Sequence, residues 1–300
     1  MQPTNQLTDQ LANIDPLFIV VLVAALTLAR VALVKIKDPW ARTISETCDT
    51  VNFVLILAFL LIRPFVAQAF FIPSESMEST LLVQDRLIVD KFSYRTHEPR
   101  HKDVVVFEAP PEAMDGQKGV DFIKRLIGTP GDTIQVKQAR ISVDGEPIVP
   151  SVFGMRETHD FLRARMGLEQ DGGGREGAAI KLFPDYVLVD GTRKVSKADL
   201  ATLLNHPGAR ITITPGTVYR NGQPLDEPYT REDPDYDYPL DANGQASATP
   251  LKLGEKELFM MGDNRNHSKD SHFWGPLNRA NVIGHAEVLF WPPNRMGLIR

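Results

Sequence analysis

Residues 121–132 read Asp-Phe-Ile-Lys-Arg-Leu-Ile-Gly-Thr-Pro-Gly-Asp, a short apolar run that contains two cations and ends in turn-forming residues. Side chains alternate between the two faces of a β-strand, so Phe122 and Lys124 share one face. Ile123 and Arg125 share the other. Each face therefore holds a cation beside an apolar neighbour. A lysine in a strand ordinarily points to solvent, and this segment alone predicts a strand and no function.

Further segments of this kind follow the N-terminal part of the chain. They are short, rich in β-branched residues and separated by Gly, Pro and Asp clusters, which is the pattern of an all-β domain. They cover Arg86–Phe92, Asp103–Phe107, Tyr186–Val189, Arg210–Thr214 and Val282–Phe290. We therefore predict a mainly β fold, with an antiparallel-sheet catalytic domain over residues 73–300. An inserted β subdomain is expected at about 140–255, where the sequence is polar and shows no motif of its own.

Two apolar runs precede this domain. The first is uncharged from Leu17 to Ala29 and continues beyond Arg30. About 20 apolar residues are needed to cross a bilayer, so residues 17–34 are long enough if Arg30 reaches the headgroups. The second run covers residues 51–72 and is interrupted at Arg63-Pro64. We predict two transmembrane helices, at 17–34 and 51–72. A cleaved signal peptide fits less well, because the first residues carry no Lys or Arg.

The basic residues of this region lie mostly between the two runs. By the positive-inside rule, residues 35–50 form a cytoplasmic loop. The tail over residues 1–16 then faces outward, and the catalytic domain lies on the outer face of the membrane. Cys48, the single cysteine, excludes an internal disulfide and a Cys–Cys zinc site. The formal net charge of -5 argues against a nucleic-acid partner.

Three segments carry residues with chemical potential. Besides residues 121–132, these are Phe71–Leu81, which contains Pro-Ser-Glu-Ser-Met, and Phe259–Gly275, which contains Gly-Asp-Asn-Arg and Phe-Trp-Gly. Each has an ordinary explanation when taken alone. A serine after proline usually forms a turn, and Gly, Asp and Asn dominate turns as well. Ser76 by itself is therefore a weak candidate for a nucleophile.

Together, and in this order after two apolar runs, the three segments resemble the bacterial type I signal peptidases (leader peptidases), a serine–lysine dyad peptidase family. The resemblance spans most of the chain and is weakest across about 140–250. It implies a membrane-bound endopeptidase of the bacterial plasma (inner) membrane, with its catalytic domain on the outer, periplasmic face. It implies removal of signal peptides after small residues of the Ala-x-Ala type. It also implies a monomer without metal or other cofactor, whose partners are preprotein signal peptides and membrane lipid.

The resemblance assigns Ser76 as the nucleophile and Lys124 as the general base. A serine hydroxyl needs a base within hydrogen-bond reach, and a lysine is a base only when burial has lowered its pKa towards ~7–8. The Ser74 hydroxyl and the Ser76 N–H are assigned to the oxyanion, and Ser268 is assigned to orient the lysine amine. Asp270 and His272 support the site without touching substrate. The substrate groove is assigned Ile72, Pro73, Met77, Phe122, Ile123, Met260 and Met261.

The chain departs from the family pattern at three positions. His272 stands where arginine is common, so the ion pair with Asp270 depends on pH near neutrality instead of being permanent. Asn266 stands where an aspartate is often found, and Glu75 where glycine is common. None of these changes removes a group with an assigned chemical role.

Three competing interpretations remain weaker. His97-Glu-Pro-Arg-His101 matches the H-E-x-x-H pattern of zinc peptidases, but that motif requires a helix, which Pro99 disfavours. A self-cleaving Ser/Lys regulator would need no membrane anchor and would usually carry a DNA-binding module. A non-catalytic, membrane-anchored β-domain that binds exported proteins is the alternative from another class of function. A cleavage assay on a preprotein distinguishes this alternative from a peptidase, because only the peptidase would cut the preprotein.

Overall fold

The computed structural model describes residues 16–62, 66–114, 116, 119–148, 157–168 and 177–300. The predicted outward tail, apart from Pro16, and the interruption at Arg63-Pro64 lie outside these residues. The described helices are α1 Pro16–Leu33, α2 Pro39–Leu55, α3 Ser93–Thr96, α4 Glu157–Met166, α5 Lys197–Leu203 and α6 Ser271–Trp274, with a π-helical stretch at Ile56–Ile62.

Strands dominate the rest of the described chain, and their pairings are antiparallel, which confirms the mainly β prediction. The six strands predicted from sequence are all strands in the structure, with ends that differ by a few residues. The strands are β1 Ala67–Phe71, β2 Arg86–Asp90, β3 Val104–Glu108, β4 Asp121–Gly128, β5 Thr133–Lys137, β6 Arg140–Val143, β7 Glu146–Pro147, β8 Ile180–Phe183, β9 Tyr186–Val189, β10 Arg193–Ser196, β11 Ile211–Thr214, β12 Thr217–Arg220, β13 Gln223–Pro224, β14 Leu251–Lys252, β15 Glu257–Met261, β16 Leu277–Asn278, β17 Val282–Trp291 and β18 Gly297–Leu298.

The N-terminal helices differ from the prediction. The first apolar run forms α1, but the second helix begins at Pro39, inside the predicted cytoplasmic loop 35–50. A proline is favourable in the first turn of a helix, where its missing N–H is not needed. The end of the predicted second span forms β1, because that segment pairs with β2. Within the described part of the chain, no helix combines the length and apolarity that a bilayer crossing requires, so the two predicted transmembrane helices are not confirmed.

The chain forms two compact units. The first combines the described residues up to Phe71 with Asp85–Glu98 and Gly284–Ile299. In it, β2 pairs with β1 on one side and with β17 on the other, and β17 also pairs with β18.

The second unit contains Ile72–Gln84 and the described residues of Pro99–Ile283. In its main sheet β4 lies between β3 and β15, and β16 follows β15. Val105 of β3 pairs with Lys124 of β4, and Met261 of β15 pairs with Arg125. The strand that carries the two cations is therefore enclosed by a neighbour on each side.

Among its described residues, two apolar cores support this second unit. One surrounds Phe259 and includes Ile134 and Val218. The other lies in the region predicted as an inserted subdomain, where strands β6 and β8–β11 pack with α4 and α5. That region therefore contains helices as well as strands. Its predicted limits at about 140–255 remain a prediction.

Candidate active site

The Ser76 segment is a short 3-10 turn, Glu75–Met77, in which Ser76 and Met77 are buried. The Gly-Asp-Asn-Arg loop holds this turn through two hydrogen bonds. The backbone N–H of Asn264 donates to the Ser76 carbonyl at 3.1 Å, and Asn264 Nδ2 donates to the Glu75 carbonyl at 3.3 Å. Two segments that are far apart in sequence thus fix the position of one serine.

Lys124 reaches this serine from β4. Its side chain is buried, with 4% of the residue exposed, and Nζ donates to Ser76 Oγ at 2.6 Å and to the Ile123 carbonyl at 3.0 Å. Nζ also lies 5.3 Å from the centroid of the Phe122 ring. Ser74 Oγ is 3.4 Å from Ser76 Oγ. The structure therefore brings together three of the predicted residues, Ser74, Ser76 and Lys124.

The environment of Lys124 favours the neutral amine. Burial lowers the pKa of Lys124 to about 8, although the carboxylates of Asp270 and Asp263 act in the opposite direction. Desolvation penalises the ammonium because few polar groups replace its water. A neutral amine can accept a proton from a hydroxyl at hydrogen-bond distance. The pair is therefore chemically able to activate Ser76 near neutral or mildly alkaline pH.

The other face of β4 places Arg125 in a fully buried ion pair with Asp263. Arg125 Nε donates to Asp263 Oδ1 at 2.8 Å, Nη2 donates to Oδ2 at 2.7 Å, and Nη1 donates to the Lys102 carbonyl at 2.8 Å. Such two-point pairing fixes direction as well as distance. The two basic side chains on β4 thus have different partners. Arg125 pairs with a carboxylate, whereas Lys124 hydrogen-bonds to a hydroxyl.

Ser268 is buried, but the predicted hydrogen bond to the lysine amine is not present in the structure. Among the described residues, its hydroxyl has no hydrogen-bond partner of ordinary geometry. It lies close enough to Asp270 to favour the ionised carboxylate. The orienting role of Ser268 remains a prediction.

Asp270 is fully buried and multiply held. Its Oδ2 accepts from the Gly262 N–H at 2.8 Å, and its Oδ1 lies 2.6 Å from His272 Nδ1. Burial acts to raise the pKa of Asp270, but His272 and these hydrogen bonds outweigh it and keep the pKa below its ordinary value. The His272 ring also stacks on Tyr236, with centroids 3.9 Å apart. The position where the family often has arginine is thus filled by a stacked histidine that still contacts Asp270.

Gly262 has a role that the sequence did not reveal. A Cβ at this position would lie 2.3 Å from Ser268 Oγ and 2.4 Å from the Ser76 carbonyl oxygen. The turn interpretation of Gly-Asp-Asn-Arg explains glycine by backbone freedom. In the structure, the close approach of two neighbours excludes any side chain.

The residues predicted for the substrate groove differ in exposure. Phe122 and Ile123 are partly exposed and Pro73 is exposed, whereas the others are buried, namely Ile72, Met77, Met260 and Met261. A fully buried side chain offers no open surface to a ligand. Of this set, Pro73, Phe122 and Ile123 are the residues open to contact in this conformation, and the groove itself remains a prediction.

Comparison with known proteins supports the resemblance seen in the motifs. The family profile described as "Signal peptidase, peptidase S26" matches residues 44–196 and 184–291. Signal peptidase I of Leptolyngbya laminosa is 34% identical over 255 residues, which are 84% of this chain and 82% of that protein. Signal peptidase I of Aquifex aeolicus (strain VF5) is 31% identical over 250 residues, 80% of this chain and 81% of that protein.

Among solved structures, a signal peptidase I from Enterococcus faecalis V583 matches 63% of this chain and 97% of its own, at 19% sequence identity. The TM-score is 0.24, which is too low to support an argument from fold.

Gly262→Ala should destabilise the protein by about 1–3 kcal/mol, because the added methyl group overpacks a close contact. Urea unfolding measures this change. Gly297→Ala is the matched control, since a Cβ there has no neighbour within 4 Å, and it should stay within about 0.5 kcal/mol of wild type. Equal stability of the two variants would contradict the packing role of Gly262.

Lys124→Met should stabilise the protein at pH 7 by on the order of 2 kcal/mol, because it removes a buried amine whose pKa is lowered. The unfolded chain binds this proton more tightly than the folded one, so wild-type stability rises with pH from about 8 towards 10.5. The advantage of the Met variant should therefore shrink across that window. Thermal unfolding from pH 7 to pH 10.5 measures it, with the exposed Lys256→Met as control. A constant difference at every pH would refute a lowered Lys124 pKa.

Proposed function

The chain belongs to the peptidase S26 family of signal peptidases, and from this premise we propose that it cuts signal peptides from exported preproteins with Ser76 as nucleophile and Lys124 as general base. The observation that carries the proposal is the 2.6 Å hydrogen bond from Lys124 Nζ to Ser76 Oγ. The nearest side-chain partner of this buried lysine is a serine hydroxyl and not a carboxylate. The lysine is therefore placed to act as a base on that hydroxyl, and not to form an ion pair.

In the first half of the reaction, neutral Lys124 takes the proton of Ser76 while Oγ forms a bond to the scissile carbonyl carbon. The carbonyl oxygen gains a negative charge that needs donors already in place. The Ser74 hydroxyl, 3.4 Å from Ser76 Oγ, and the Ser76 N–H supply them in this proposal. The tetrahedral intermediate then collapses. The C–N bond breaks, and the Lys124 ammonium gives its proton to the leaving amine of the mature protein.

In the second half, the signal peptide remains as an ester on Ser76. Water attacks the ester carbonyl, and Lys124, neutral again, accepts a proton from that water. The second tetrahedral intermediate expels Ser76 Oγ, which regains its proton from Lys124. The products are the signal peptide with a free carboxylate and the enzyme in its starting state. One base thus serves both steps, which requires its pKa to lie near the working pH.

Cleavage after small residues of the Ala-x-Ala type is part of the proposal. The side chains open beside Lys124 are Phe122 and Ile123. Apolar walls of this kind suit the small, uncharged residues that precede the scissile bond. The other apolar residues assigned to the groove besides Pro73, namely Ile72, Met77, Met260 and Met261, are buried.

We further propose that the chain works at the bacterial plasma membrane, with the catalytic domain on the outer face. Apolar side chains on α1 and α2 are strongly exposed, including Leu17 at 67%, Leu28 at 70% and Phe53 at 67%. Large exposed apolar surfaces are covered by lipid or by protein. A lipid surface also brings the enzyme to the place where a signal peptide is held during export.

Cleavage of a preprotein by the full chain in detergent, measured across pH, tests the proposed function. Ser76→Ala and Lys124→Ala should each lower kcat by at least about 10³-fold, because nucleophile and base act as a unit. The wild-type rate should rise with pH through a midpoint of about 8, since only the neutral amine is a base.

Ser79→Ala serves as the control, because this exposed serine lies in the same segment. It should leave the rate unchanged. Activity within about threefold of wild type in either dyad variant would overturn the assignment of that residue. Binding of the preprotein without cleavage by wild type would favour the non-catalytic alternative.

A further inference from the structure

Both carboxylates that act on the Lys124 amine belong to one stretch of chain, residues 262–270, here named the lysine loop. It carries Asp263 and Asp270, whose charges reach Lys124. It also carries Asn264, whose backbone holds the Ser76 carbonyl. Any movement of the lysine loop therefore changes both the position of Ser76 and the charge around its base.

A second stretch, residues 227–235, here named the clamp segment, holds the lysine loop from outside. Its first contact is the pair between Glu227 and the fully buried Arg265. Arg265 Nη1 donates to Glu227 Oε2 and Nη2 to Oε1, both at 2.7 Å. Burial acts to raise the pKa of Glu227, but the Arg265 guanidinium outweighs it and keeps the carboxyl ionised. Arg265 Nε also donates to the Gly262 carbonyl at 3.0 Å, so the pair extends to the start of the loop.

The second contact is the buried side chain of Asn266. Its Nδ2 donates to Glu232 Oε2 and to the Asp233 carbonyl, both at 3.1 Å. Its Oδ1 accepts from the Asp235 N–H at 2.9 Å. The clamp segment thus uses both N–H donors of the Asn266 amide and one of the two acceptor positions of its oxygen. A backbone bond from the Arg231 N–H to the Asp263 carbonyl at 3.0 Å adds a third contact.

The clamp segment lies within the region predicted as an inserted subdomain and is hydrogen-bonded to other parts of it. Glu232 Oε1 accepts from the Ile180 N–H at 2.9 Å and from Arg163 of α4. Asp233 Oδ1 accepts from the Leu182 N–H at 2.9 Å. The clamp segment therefore links β8 and α4 to the lysine loop through hydrogen bonds.

We propose that Glu227 and Glu232 are positioning residues for the peptidase reaction: through Arg265 and Asn266 they hold the lysine loop where Ser76 and Lys124 meet. The inference rests on the proposed function. It assigns a task to the inserted region, which the motifs leave without one.

The identity of residue 266 follows from this arrangement. An aspartate there would place a second buried carboxylate against Glu232, and two adjacent carboxylates cannot both ionise without cost. Asparagine donates a hydrogen bond instead. The carboxylate of Glu232 thus explains why asparagine, and not the aspartate common in the family, suits residue 266.

Glu227→Asp tests the clamp segment while conserving charge. It shortens the side chain by one methylene group, so the Arg265 guanidinium must move to keep the ion pair. We expect kcat to fall by about tenfold or more, since small misplacements of reacting groups are costly. The pH midpoint should move down by about 0.3 or more as Asp263 and Asp270 shift away from the amine. Asp237→Glu is the matched control, because Asp237 pairs with the exposed Arg140 at 3.1 Å. It should match wild type.

Asn266→Asp tests the second contact, with Glu232→Gln added as rescue. The single variant should lose about tenfold or more in kcat from carboxylate repulsion. In the double variant the introduced glutamine amide can donate to the introduced carboxylate, so kcat should recover to within about threefold of wild type. Thermal unfolding of each variant shows which of them are folded at the assay temperature. If Asn266→Asp does not fold, Glu227→Asp decides.

The proposal is overturned if Glu227→Asp keeps the wild-type kcat, or loses kcat with an unchanged or raised pH midpoint, as a merely structural role would predict. A folded double variant that is no more active than Asn266→Asp would also overturn it. These outcomes differ from failure of the proposed function. In that case wild type itself does not cleave, or cleaves without dependence on Ser76 and Lys124.

Discussion

The hydrogen bond from Lys124 to Ser76 requires an amine to be buried where its charged form is disfavoured. Burial lowers the pKa of Lys124 to about 8, and a lysine with its ordinary pKa would be almost wholly protonated at neutral pH. The surrounding structure also limits the effect of nearby carboxylates, which would raise the pKa of Lys124 again. Arg125, the next residue, is neutralised by Asp263, and Asp270 is engaged by His272. The carboxylates near the amine are thus occupied by other partners.

That arrangement costs stability and demands close packing. Burying an amine without a counter-ion lowers the stability of the folded state. The pairing of β4 with a strand on each side helps to offset this cost. The lysine loop approaches Ser76 so closely that only glycine fits at residue 262. Buried ion pairs fix direction more than they add stability. The pairs around the loop, Arg265 with Glu227 and Arg125 with Asp263, are suited to that purpose because each is bidentate.

Part of this could be predicted from sequence, since strand periodicity and motif order are local properties. The β4 strand, the alternation of Lys124 and Arg125 and the family are examples. The rest depends on contacts between distant segments. Nothing near Asn266 in the sequence indicates Glu232 as its partner, and no turn preference reveals the crowding at Gly262. Apolar composition alone predicts the second helix at 51–72, but the helix begins at Pro39 and Ala67–Phe71 forms a strand that pairs with β2.

With its pKa lowered to about 8, Lys124 should be neutral in a substantial fraction of molecules near pH 8. An NMR titration of the full chain in detergent, with isotope-labelled lysine side chains, measures this directly. Loss of one signal in Lys124→Met identifies the resonance. We expect this signal to titrate with a midpoint of about 8, separate from the other lysines. A midpoint close to the ordinary lysine value of 10.5 would contradict it.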